Sequence, residues 1–185
     1  MADGPSLREP AGPPPDSVSL VQAARGGDRA AFAELYVRYI RMVHGILMAR
    51  APRLDVDDLV QDVFLHAMRR LSSLRDASAF GGWLAAIARN RASDHLRRVH
   101  PMEPLSDSDD LAADAPGDLD ARVVLGVLRT LPEAYRETLA MRLIEGMTGP
   151  EIAAATGLTA ASVRVNLHRG MKLLRERIDG RSVRE

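Results

Sequence analysis

The chain has 185 residues, 46% of them hydrophobic and 27% charged, with 25 basic and 25 acidic side chains and no cysteine. That length and apolar content suffice for two small cores, and the missing thiols exclude disulfides, thiolate catalysis and cysteine-ligated zinc. No apolar run approaches the roughly 20 residues needed to cross a bilayer, and the N-terminus lacks the basic-then-apolar order of a signal peptide, so a cytoplasmic setting without membrane insertion is expected.

Residues 1–16 hold five prolines and two glycines among small polar residues, the composition of a disordered tail. Folded sequence is expected from Ser17, with helical stripes built on Leu20, Val21, Phe32, Leu35, Tyr39, Val43 and Leu47. Near-absence of β-branched runs favours helices throughout, so the fold class expected is all-α, two small helical domains joined by a flexible acidic linker. The first domain is assigned to 17–99, the linker to 100–118, the second domain to 119–179 and a short tail to 180–185.

An acid-headed helix follows. Val56, Leu59, Val60, Val63, Phe64, Ala67, Met68 and Leu71 recur at steps of three and four, so one face is apolar, and Asp55, Asp57, Asp58, Gln61 and Asp62 are left on the open side. Acids in a first turn complement the helix dipole, and the same acids suit a docking surface. After a polar loop at Ser72–Ser78, a second helix is expected to bury Phe80, Trp83, Leu84, Ile87 and Ala88. It turns Asn90, Asp94, Arg97 and Arg98 outward, with Arg89 and Arg91 nearby. Guanidinium groups neutralise phosphates, aromatic rings stack on unpaired bases and an amide reads base edges, so this helix is equipped to hold opened DNA.

The linker carries Glu103, Asp107, Asp109, Asp110, Asp114 and Asp118, with no basic residue between His100 and Arg122. Net charge is therefore zero by segregation, acids in two blocks and arginines in two others. In the second domain Thr148-Gly149-Pro150-Glu151 reads as a capping box opening a short helix that Gly157 ends. A further helix starts at Thr159 or Ala160, with Val163, Leu167, Met171 and Leu174 inward. The pair makes a helix-turn-helix. Ser162, Arg164, Val165, His168, Arg169 and Lys172 point outward on its basic, major-groove face.

Enzymatic readings find little. His44, His66, His95, His100 and His168 are scattered, Gly26-Gly27 and Gly81-Gly82 lack the lysine and setting of a nucleotide loop, and Asp55, Asp57 and Asp58 spread around a helix axis rather than converge on one ion. No cofactor or metal is expected.

The segments Asp55–Phe64, Ala79–Leu84 and Ile87–Asn90 resemble the second conserved region of bacterial sigma factors, and Leu131–Glu137, Glu145-Gly146 and the helix-turn-helix are similar to the fourth. Short loops and total length point to the extracytoplasmic-function group of the sigma-70 family. The resemblance implies an initiation factor that binds core RNA polymerase and promoter DNA and, as is common in the group, is held by an anti-sigma factor. It implies polymerase contacts at Asp55, Asp58, Gln61, Asp62 and Leu65. Minus-ten contacts are implied at the Ser72–Ser78 loop and at Trp83, Asn90, Asp94, Arg97 and Arg98. Minus-thirty-five contacts are implied at Ser162, Arg164, Val165, His168, Arg169 and Lys172. The linker would thread the polymerase cleft. The rival is a stand-alone helix-turn-helix regulator that never joins polymerase, which leaves the Asp55–Phe64 surface unexplained. Three features depart from the family: Gly81-Gly82 weakens a helix start, Val165-Asn166 replaces a common Ser-Arg pair, and Gly170 is expected to interrupt the recognition helix.

Overall fold

A computed structural model describes residues 17–99 and 119–182. The tail assigned to 1–16, the linker at 100–118 and the last three residues of the tail assigned to 180–185 lie outside the described residues; the first three residues of that C-terminal tail are instead the end of a helix. Eight α-helices and no strand occur among those described: α1 Ser17–Arg25, α2 Arg29–Met48, α3 Val56–Arg70, α4 Phe80–Val99, α5 Leu119–Arg129, α6 Glu133–Leu143, α7 Gly149–Thr156 and α8 Ala160–Ser182.

Local chemistry accounts for several helix ends. Asp28 caps α2, its carboxylate accepting from the Ala30 and Ala31 amides at 2.8 and 3.1 Å. α3 carries Asp57 and Asp58 in its first turn and Arg69 and Arg70 in its last, both complementing the dipole. The capping box at α7 is formed in both directions, Glu151 accepting from the Thr148 amide at 2.6 Å and Thr148 from the Glu151 amide at 3.4 Å. Gly157 then ends α7 in the left-handed conformation at φ 76°, where a Cβ would be strained.

α2 is the spine. It touches α1, α3 and α4 on one side and α6 and α7 on the other. Aromatic contacts knit the first half, with ring centroids of Tyr36 and Phe64 at 4.6 Å, Tyr39 and Phe80 at 5.0 Å, and Phe80 and Trp83 at 5.8 Å. Two core clusters form, as composition suggested, but they interpenetrate. Met141, Met147, Ile152, Ala155 and Val163 from the C-terminal half belong to the larger, mainly N-terminal cluster, and Ala49 at the end of α2 belongs to the C-terminal one. The helix-turn-helix half is therefore packed on the α2–α4 half rather than merely tethered to it.

Three expectations change. Met68 is 51% exposed instead of sharing the apolar face of α3, and Leu65 beside it is 48% exposed. α8 runs without a break through Gly170. A Cβ there would sit 3.0 Å from both Leu139 Cδ1 and Tyr135 Cβ, so the glycine lets α8 seat closely on α6. The Ser72–Ser78 loop also contains two short 3₁₀ turns, Leu71–Ser73 and Ala77–Ala79. The second is capped by Asp76, whose carboxyl is held below its ordinary range by hydrogen bonds from Ser78.

Candidate nucleic-acid and partner interfaces

The outer face of α3 presents Asp57, Asp58, Gln61, Leu65 and Met68 to solvent. Asp55 and Asp62 are less free. Asp55 sits just before α3 and accepts from His95 Nε2 of α4 at 2.9 Å, and Asp62 pairs with Arg91 Nε of α4 at 3.4 Å. Arg91 also reaches His66 Nδ1, and that imidazole is pushed below its ordinary value by burial and then by Arg91. These ties join the acidic helix α3 to the Phe/Trp helix α4.

On α4, Asn90, Asp94, Arg97 and Arg98 are exposed and Trp83 is half-buried against Phe80. Asp94 accepts from Arg97 at 2.7 Å, an exposed pair that holds the two side chains in register and adds little stability. Arg89 and Arg91, which the sequence groups with the DNA-facing arginines, are already bound to protein carboxylates. Arg91 is engaged with Asp62, and Arg89 donates to Glu137 of α6 from Nε at 3.0 Å and from Nη2 at 2.8 Å. That pairing raises the Arg89 pKa above its ordinary value.

In the helix-turn-helix, Ser162, Arg164, Val165, His168, Arg169 and Lys172 are all exposed on α8, and Val163 and Leu174 are buried beneath them. Thr159 begins α8, its hydroxyl accepting from the Ser162 amide at 3.1 Å. An open groove of about 850 Å³ between α7 and α8 has Pro150, Val163 and Leu167 among its lining, with Arg142, Arg164, Lys172 and Arg175 supplying positive charge and Glu176 and Asp179 negative charge. The six side chains thus form one continuous surface carrying the three cations Arg164, Arg169 and Lys172, on a helix whose opposite face is anchored.

Sequence reasoning passed over a third group. Glu137, buried between the two halves, accepts from Arg50 Nε at 2.7 Å as well as from Arg89. Glu133 adds a contact to Arg50 at 2.7 Å, and Glu145 binds His44 Nδ1 at 2.6 Å. Arg129 donates to the backbone carbonyls of Met48 and Ala51. The available signal was a charged residue two positions before the apolar run Leu139–Met141. No group of three or more His, Cys, Asp or Glu side chains able to hold a metal occurs among the described residues.

Comparison with known proteins decides the family. The sigma-70 region 2 model matches residues 35–100 and the sigma-70 region 4 model residues 121–174. The ECF RNA polymerase sigma-E factor of Escherichia coli K12 is 32% identical over 179 residues, covering 88% of this chain and 92% of that protein. The chain belongs to the ECF sigma factors. The sigma-E factor of Haemophilus influenzae is 30% identical over 179 residues, covering 86% of this chain and 94% of its own. Among solved structures, CnrH in complex with the cytosolic domain of CnrY aligns with a TM-score of 0.56 and 26% identity, over 89% of this chain and 97% of that one. RpoE in complex with the anti-sigma factor NepR from Bartonella quintana shares the fold at a TM-score of 0.51 and 23% identity, over 80% of this chain and 95% of that one. As a sigma factor, the protein binds core RNA polymerase and directs promoter-specific initiation, with the region 4 helix-turn-helix among its DNA-binding parts. The family is not an enzyme family, and no helix among the described residues is long and apolar enough to cross a membrane.

Proposed function

We propose that the outer face of α3 is the polymerase-docking surface of this sigma factor, that α4 handles the melted minus-ten strand, and that α8 reads the minus-thirty-five duplex. The observation that carries the first assignment is the exposure of Leu65 and Met68, 48% and 51%, directly along the helix from Asp58 and Gln61. Two large apolar side chains rimmed by acids on an otherwise packed helix suit a partner that covers them and supplies cations. Asp58, Gln61, Leu65 and Met68 make the contact. Asp55 and Asp62, each held by a residue of α4, position it. Trp83, Asn90, Asp94, Arg97 and Arg98 face the opened strand; Ser162, Arg164, Val165, His168, Arg169 and Lys172 face the upstream element.

The units are assigned as 17–99 for region 2 and 119–179 for region 4, joined by 100–118. The protein works in the cytoplasm with no catalytic chemistry or cofactor of its own. Two of the similar structures are complexes, one with the cytosolic domain of CnrY and one with the anti-sigma factor NepR, and an anti-sigma factor is the corresponding partner inferred here. Exchanging Asp58 for arginine together with Leu65→Ala tests the docking face: core-polymerase binding is expected to be lost while helical content and melting temperature stay nearly unchanged. Normal binding by that double variant removes α3 from the interface.

A further inference from the structure

Folding does not explain Val165. It is 41% exposed on α8, belongs to neither core cluster and stands outside the groove between α7 and α8, which Val163, Arg164 and Leu167 line. A β-branched residue is also a poorer helix former than the alanines that open the same helix, so neither packing nor propensity favours valine there. Its helical neighbours at steps of three and four are Ala161, Ser162, His168 and Arg169, all four exposed. Val165 is therefore at the centre of the outer face rather than at its edge. Around it the polar groups are held aside: the Ser162 hydroxyl is hydrogen-bonded to that of Thr159 at 2.8 Å, and Arg164 borders the groove. Ala161, one turn earlier, carries only a methyl. The early part of α8 thus offers an apolar spot, Ala161 and Val165, rimmed by the cations Arg164, Arg169 and Lys172.

Such a pattern selects its ligand. Cations at the rim suit phosphates on any sequence, and an isopropyl group forms no hydrogen bond, so it cannot tell bases apart by their donors and acceptors. One apolar group projects from base edges into the major groove of B-DNA, the C5-methyl of thymine. We propose that Val165, with Ala161 beside it, reads a thymine methyl in the upstream element, making a T·A pair at that position part of what this chain recognises. The inference rests on the assignment of α8 to the minus-thirty-five duplex and adds what the helix selects there. Cytosine at the same place would turn its N4 amino donor against the isopropyl group and lose the water that satisfied it, so the contact rejects one pyrimidine while it attracts the other.

The test uses holoenzyme, the full chain bound to core polymerase, and a duplex pool randomised across both promoter elements. Selection supplies the preferred duplex. It is then resynthesised with deoxyuridine in place of each upstream thymidine in turn, a change that removes one methyl group and keeps every Watson–Crick bond. One replacement is expected to weaken binding about fourfold, the factor for a single methyl withdrawn from water. Val165→Ser should weaken binding to the thymidine duplex by at least that factor and bind the two duplexes equally. A 5-methylcytosine·guanine pair at that position should bind wild type more tightly than cytosine·guanine, which isolates the methyl from the hydrogen bonds of the base. Circular dichroism checks that the variant folds, as expected for a side chain in neither core. Equal binding of thymidine and deoxyuridine duplexes at every position, a preferred upstream element without thymine, or a Val165→Ser chain that still separates the two overturns the proposal. Weaker binding of that chain to core polymerase without DNA overturns it too and assigns Val165 to a protein contact. Enrichment of no upstream sequence at all would instead refute the placement of α8 on the minus-thirty-five element.

Discussion

Ile152 lies in α7, yet it is 0% exposed inside the cluster formed mainly by α1–α4, which makes Ile152→Ala a probe of how strongly the halves are joined. The substitution removes three buried carbons at about 0.8 kcal/mol each and leaves a cavity, so a loss of about 3 kcal/mol is expected, within the roughly 2–5 kcal/mol range of such truncations. Urea unfolding converts this to a measurable shift. With a slope of about 2 kcal/mol per molar, the midpoint should fall by about 1.5 M. The single tryptophan sharpens the assay, because Trp83 sits on α4 in the other half, against Phe80. If the interface makes one cooperative unit, Trp83 fluorescence and far-ultraviolet circular dichroism move together by the full amount. A Trp83 transition that stays in place while the dichroism curve splits would show that α7 is not part of the N-terminal core, and the packing described above would be wrong.

The remaining predictions concern protons and DNA. Glu145 faces His44 of α2 from the turn after α6, with Arg41 on α2 and Asp57 on α3 as the other charged neighbours, and its hydrogen bond raises the His44 pKa above 6.5 against the opposing effect of burial. A raised folded pKa contributes stability that is complete below about 6.5 and is lost as pH climbs through the folded value, so the melting temperature should fall between pH 6 and pH 8 by more in the wild type than in His44→Gln. Equal pH profiles would remove the contact from the stability account. Asn90→Ala should impair open-complex formation and recover on a template already mismatched across the minus-ten element; no recovery, with base preference unchanged, excludes Asn90 from the strand-handling surface. Arg164→Ala, early on α8, should relax one base position at a cost of about 1–3 kcal/mol, while Arg169→Ala should weaken all sequences alike and lower the salt slope by about one. Uniform losses from both, read on a panel of single-base promoter variants, would mean that α8 meets DNA by another face.

Local pattern carried the helices and most of their exposed faces. The Thr148–Glu151 capping box, the left-handed Gly157 and the outward set on α8 follow from spacing alone, because caps and amphipathic stripes are decided within a turn or two of chain. What spacing misses is anything settled by a distant segment. Met68 fits the apolar stripe of α3 but finds no neighbour to bury it. Gly170 and Gly81 read as helix weaknesses until the neighbours they admit are known, the Leu139 and Tyr135 side chains for one and the Ala155 carbonyl for the other. Residues 137–141 are buried consecutively because α6 is covered by α2 on one side and α8 on another, which erases the periodicity that sequence reading depends on. Arg89 and Arg91 look like DNA ligands by composition, and only the approach of Glu137 and Asp62 shows where their charge goes.

The same contacts explain how a DNA-binding chain can be neutral. The second half presents carboxylates toward the first: Glu137 and Glu133 meet Arg50 and Arg89, Glu145 meets His44, and Glu151 meets Arg41 at 3.6 Å. The cations Arg164, Arg169 and Lys172 stand on the exposed face of α8. That half is therefore polarised, acidic toward its own N-terminal partner and basic toward solvent.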